Sequence, residues 1–204
     1  MNPAANELAP LIRALSSPDS AVRERAGVEI FRAGCEIANS ATQSWFLDPK
    51  LATYFIRDRS GIPELTVGLA VRPQTFEQIR AACGSPSLAN VPPDQDAREF
   101  ELQFPNGAHL DVLTTTAPSA SGAVARFLKK FGETVQQVEI SVTDVDGATA
   151  ILREQFGATS VYPTTRPGAN GTRVNFFLVP TSQDRKVLIE LVETPQRNER
   201  ESLK

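Results

Sequence analysis

Apolar residues along the first 58 positions recur at helical spacing. Leu8, Leu11, Ile12 and Leu15 fall at i, i+3, i+4 and i+7, the stripe of one buried helix face. Ser17 and Pro18 read as an N-cap followed by proline at the first helical position. Val22, Ala26, Ile30, Ala33 and Ile37 then form a second stripe, with Arg23, Arg25 and Glu29 off it. The aromatic segment SWFLDPKLATYFIRD packs these helices onto the rest of the chain. They read either as a helical extension covering a sheet or as one unit of a helical repeat.

From Pro63 the period shortens. Leu65–Val71 reads as a strand, Thr75 to Gln78 as a capping box opening a helix through Cys83, and Gly84 as its terminator. Arg98–Phe104 alternates like a half-exposed strand. Asn106-Gly107 then signals a hairpin into Ala108–Thr114. A linking helix comes next, with Val124, Phe127, Leu128 and Phe131 as its buried stripe. The order then repeats: strand Gln137–Val142, helix Asp144–Phe156 ended by Gly157, short strand Val161-Tyr162, loop PTTRPGANG, and strands Arg173–Val179 and Val187–Val192. This predicts an α+β fold of tandem βαβββ modules forming a curved mixed sheet around a cavity, with an N-terminal helical extension. The boundaries are 1–60 for the extension, 63–116 for the first module, 117–134 for the linking helix, 135–195 for the second module and 196–204 for a polar tail.

Composition narrows the classes of function. The chain has 204 residues, 41% of them hydrophobic and 22% charged, the profile of an ordinary globular protein. A net charge of −3 argues against nucleic acid as the main partner, because phosphate binding needs a positive footprint. No apolar run reaches membrane-spanning length and no secretory leader is visible, so a cytoplasmic location is expected. Cys35 and Cys83 are isolated thiols on helical faces and read as core rather than reactive groups.

Glu190 lies inside the apolar run VLIELVE. A buried acid costs several kcal/mol unless it is solvated, paired or metal-bound, so Glu190 is a candidate for chemistry. Alternation puts Glu139 on the face of Gln137, and His109 on the face of Asp111. His109 is the only histidine, and reads either as a general base or as an exposed strand-edge residue. Asp111 reads on its own as a cap or an arginine partner, and Glu139 turns outward if the register slips by one. Arg173, and Arg166 in the PTTRPGANG loop, could hold a carboxylate or phosphate, or be solvated.

The segments AVARFLKKFGE, TVQQVEISV, GANGTRVNFFLVP and KVLIELVE, on this tandem pattern, resemble the vicinal oxygen chelate (glyoxalase and bleomycin-resistance) superfamily, and within it the methylmalonyl-CoA epimerases. The resemblance is strong over 122–193, only topological over 63–115, and excludes the amino-terminal helices. It implies a divalent metal held by four side chains, one from the first and one from the last strand of each module. Those positions fall on Thr66, Asp111, Gln137 and Glu190; the family's two histidines are absent, and Glu190 alone is the expected type. An all-oxygen set that includes Glu139 suits Mg, Ca or Mn; Mg, Mn or Co are the candidate ions, and binding without metal is equally open. The resemblance thus implies an isomerase or lyase of epimerase or glyoxalase type acting on a small acyl or thioester substrate. Its rival is a metal-free protein that binds a small molecule or a partner. A homodimer is compatible with either.

Overall fold

The computed structural model describes residues 3–116, 121–181 and 186–195. The polar tail and positions 117–120 of the expected linking segment lie outside them. Among the described residues five α-helices and seven strands follow one another: α1 (Pro3–Ala14), α2 (Ser20–Leu47), β1 (Leu65–Ala70), α3 (Pro73–Ala82), β2 (Ala97–Phe104), β3 (Ala108–Thr115), α4 (Ala123–Phe131), β4 (Thr134–Ser141), α5 (Val145–Phe156), β5 (Arg166–Pro167), β6 (Arg173–Pro180) and β7 (Lys186–Glu193).

The strands form one mixed seven-stranded sheet in the order β2-β3-β1-β4-β7-β6-β5, curled into a half-barrel. Strands β1 and β4 pair antiparallel at its centre, each with a parallel neighbour outside, β3 and β7. The two halves therefore repeat each other about the β1–β4 seam. The first half has no counterpart of β5: residues 85–92 form no strand, although Ala89 N–H donates to Glu99 O at 3.0 Å.

Alternation divides the sheet into two faces. Val67, Phe100, Leu110, Val112, Ile140, Phe177 and Ile189 are fully buried in the core beneath the helices. Helix α2 crosses this face, and its buried seam is Ala26, Gly27, Ile30, Gly34, Ala38, Thr42 and Trp45. The seam is displaced from the expected stripe, leaving Ala33 and Ile37 at its margin, because two glycines bring the helix close. A Cβ on Gly27 would lie 2.3 Å from the Phe104 ring, and one on Gly34 would lie 2.6 Å from both Val67 methyls. Trp45 then meets Phe156 and Phe177 edge-on at 6.5 and 6.0 Å, so the aromatic segment does tie the extension to the second half.

Four local expectations are corrected. Helix α2 is capped by Asp19, whose side chain accepts from Ala21 N–H at 2.9 Å; Ser17 and Pro18 form the turn out of α1. Helix α3 begins at Pro73 with no side-chain cap, which places Thr75 inside the helix. Val161 donates its N–H to Phe176 O at 2.7 Å, but Val161-Tyr162 is not a strand; the short strand is Arg166–Pro167, which pairs with β6. On α4 only Val124 is buried, Phe127 and Leu128 are half-buried, and Phe131 is 38% exposed. A single helix resting on the sheet rim cannot cover its whole apolar face.

Candidate functional site

The opposite face of the sheet lines a cavity of about 1020 Å³. Its floor is set by register. Asp111 on β3 lies beside Gly68 on β1, which pairs with Gln137 on β4. Two residues along, Thr66 pairs with Glu139, and Glu139 pairs with Glu190 on β7. Each half thus contributes its first and last strand, and the four positions implied by the resemblance all line one cavity.

Two local devices bring these side chains together. The register shifts by one between Gly68, paired with Gln137, and Leu69, paired with Val135, so Gln136 is an extra residue, a β-bulge. Val135 consequently packs on the core although it lies only two positions before Gln137, which faces the cavity. Gly68 supplies the space: a Cβ there would sit 2.5 Å from Gln137 Cγ. The Gln137 side chain leans over the glycine.

The Gln137 amide nitrogen donates to Glu190 Oε2 at 2.5 Å and to Glu139 Oε1 at 3.1 Å. Gln137 and Glu190 are each only 7% exposed. Asp111 and Glu139 share a hydrogen bond, which two carboxyl groups can form only with a proton between them. Burial, followed by the charges of Asp111 and Glu190, pushes Glu139 well above the usual carboxylate range. Asp111 is raised by burial but eased by that hydrogen bond and by the nearby His109 charge. Burial, then the charges of Glu99 and Asp111, also holds Glu190 well above its ordinary value.

Other candidates lie further out. His109 is on the expected face but outside the cavity lining, with Nδ1 2.8 Å from Glu101 Oε1. Arg173 also lies outside it, bound to Asp146 and, at 2.9 Å, to Glu193. Arg166 does line the cavity, bound to Asp94 and stacked 4.4 Å from the Tyr162 ring. Both thiols are raised by burial, Cys35 to about 12, as expected of unreactive groups.

Sequence reasoning missed Glu99, Glu101 and Gln136, all of which line the cavity. Glu99 is pushed up to about 7 by burial and then by the Asp111 charge. A two-residue turn at Asn106-Gly107 would have set Leu102 opposite Asp111, whereas the observed connection takes three residues, Pro105–Gly107, and sets Glu101 there. Nothing in the sequence marks the bulge at Gln136, whose Oε1 is buried without a hydrogen-bond partner.

The floor can be tested for a metal. Its donors are all oxygen and suit a hard cation in type. Their arrangement does not fit one. Glu139 and Glu190 are turned onto the Gln137 amide, and Glu139 onto Asp111. Among the described residues, no group of three or more His, Cys, Asp or Glu is placed to hold an ion.

No protein-family model and no curated protein matches the chain. Solved structures do. Methylmalonyl-CoA epimerase from Mycobacterium tuberculosis is 33% identical with a TM-score of 0.52, the match covering 64% of this chain and 87% of that one. A variant of the Streptomyces coelicolor epimerase, in complex with 2-nitronate-propionyl-CoA, is 29% identical over 64% of this chain and 93% of its own, with a TM-score of 0.52. A methylmalonyl-CoA epimerase in complex with methylmalonyl-CoA and NH4+ is 27% identical over 71% and 96%, again at 0.52. With this sheet, this paired-module site and these likenesses, the chain belongs to the vicinal oxygen chelate superfamily, on the side of the methylmalonyl-CoA epimerases.

Proposed function

We propose that the cavity binds an acyl thioester and moves a proton at the carbon next to its carbonyl, as an isomerase of the epimerase type. The observation that carries this reading is the meeting of Asp111, Glu139 and Glu190 around Gln137 on the cavity floor. Carboxyl groups whose affinity for protons is raised towards neutrality are suited to exchanging them with a weak carbon acid. In this scheme Glu139 donates its proton as a hydrogen bond to the thioester carbonyl oxygen and takes up the charge that develops there. Asp111, raised by burial, is the base that removes the carbon-bound proton. Glu190 returns one from its own position across the floor. His109 acts at a distance, favouring ionised Asp111 when the imidazole is protonated. No step is assigned to a metal.

A second reading is favoured by one observation: Thr66 and Gln137 stand where the family has histidines. The cavity would then hold the ligand without turning it over. One experiment separates the two. Methylmalonyl-CoA is incubated with the protein in deuterium oxide, and label at carbon 2 is followed by mass spectrometry. Exchange that falls to background in Asp111→Asn and Glu190→Gln supports the isomerase. Saturable binding with no exchange leaves the ligand-binding reading, and neither result removes the thioester from both.

A further inference from the structure

The cavity changes character between floor and mouth. The floor holds Asp111, Glu139 and Glu190, whereas the mouth is framed by the loop 86–97 of the first half and the loop 161–172 of the second. The loops are tied across the opening. Asn90 N–H donates to Asn170 Oδ1 at 2.9 Å, Asn170 N–H donates to Asn90 O at 3.0 Å, and Gln95 Nε2 donates to Pro167 O at 3.0 Å. Arg166 stands between them. Its guanidinium lies over Tyr162, which is itself braced edge-on by Phe176 at 6.0 Å. A guanidinium stacked in this way presents its N–H fork sideways, and here the fork is taken by Asp94 of the opposite loop.

We propose that Arg166 is the anion-binding post of the cavity, and that Asp94 is a built-in competitor which occupies it until a ligand phosphate takes its place. The proposal rests on the thioester reading above and adds the ligand's orientation. An acid-lined floor disfavours the several charges of a phosphate chain, so the phosphate end of a ligand sits at the mouth and its acyl end reaches Glu139. The side chains of Arg166 and Asp94 are 31% and 60% exposed. A pair this open to water is weak and exchangeable, whereas a phosphate offers the fork two oxygens and a greater charge. Arg126 also lines the cavity, but it is exposed and already donates to Ser121 O. Because Asp94 and Arg166 come from different halves, the exchange also removes one tie between the loops.

The test is calorimetric titration of the full chain with propionyl-CoA and, separately, with pyrophosphate, at fixed ionic strength. Asp94→Asn should bind both about threefold more tightly, since the competitor is gone. Arg166→Gln should weaken both about tenfold, with Arg166→Lys in between because it keeps charge but loses the fork. The double variant D94N/R166Q should match R166Q. Equal tightening by D94N with and without Arg166 would mean a general field effect and overturn the proposal, as would no tightening at all. Pyrophosphate binding in this pattern without propionyl-CoA binding keeps the anion post and removes the thioester. Propionyl-CoA binding that ignores both substitutions does the reverse. If neither probe binds wild type or D94N, the post does not exist. Should R166Q fail to fold, D94N and R166K decide.

Discussion

Gln137 stands 2.5 Å from Glu190, its amide nitrogen donating to the carboxyl while the amide also reaches Glu139 at 3.1 Å. In the resemblance this residue occupies a histidine's position. The substitution changes more than ligand type, because an amide N–H is a donor and turns two neighbouring acids inward. The floor becomes a hydrogen-bonded unit that stores protons.

Stability should therefore fall as pH rises. Asp111, Glu139 and Glu190 bind protons more tightly folded than unfolded, as does Glu99. Their contribution is complete below the ordinary carboxylate range and is lost as pH climbs through the folded values, beginning for Glu99 between 4.5 and about 7. The slope is about 1.4 kcal/mol per pH unit for each proton of difference. Denaturant midpoints from pH 5 to 9 measure it. Glu190→Gln should flatten the slope and leave stability at pH 8 unchanged or higher, since the amide keeps the shape without the titration. A variant as steep as wild type would show that Glu190 is not held protonated.

Added metal should behave as a competitor for those protons. Binding of Mn or Mg would require deprotonated ligands, so it should strengthen with pH and release protons. Millimolar Mn should leave the melting temperature unchanged at pH 6 and raise it only towards pH 9. A shift of equal size at both values would reveal a preformed metal centre and argue against the hydrogen-bonded floor.

The approach of α2 to the sheet gives a prediction remote from the cavity. Gly34→Ala improves helix propensity by about 1 kcal/mol but drives a methyl into Val67, which is fully buried and has no room to yield. A net loss of about 1–3 kcal/mol in chemical denaturation is expected. Gly27→Ala should cost less, because it meets the tip of the half-buried Phe104 ring, which can swing.

Those glycines also show where reading a sequence by apolar period loses its hold. Ile30 was legible as core, but Gly27 and Gly34 count as neither apolar nor polar, so the seam's centre was missed. The floor was legible where strand parity is regular: Glu139 with Gln137, and Glu190 inside its apolar run. Glu99 and Glu101 escaped because a single strand's alternation does not say what stands opposite; that needs the β2–β3 register. His109 was singled out by its strand face beside Asp111 and Arg173 by its place at a strand start, and neither says how deep a side chain lies. One sits against Glu101 and the other between Asp146 and Glu193, both outside the cavity lining.

The extra residue at Gln136 works as a parity switch in β4. Before it, Val135 answers to the hydrophobic core; after it, Gln137 and Glu139 answer to the ligand space. The chemistry of the cavity is thereby tied to a count. Losing one residue there would exchange inside for outside along half a strand without altering any other letter, so this site can be erased by a deletion as completely as by replacing all its acids.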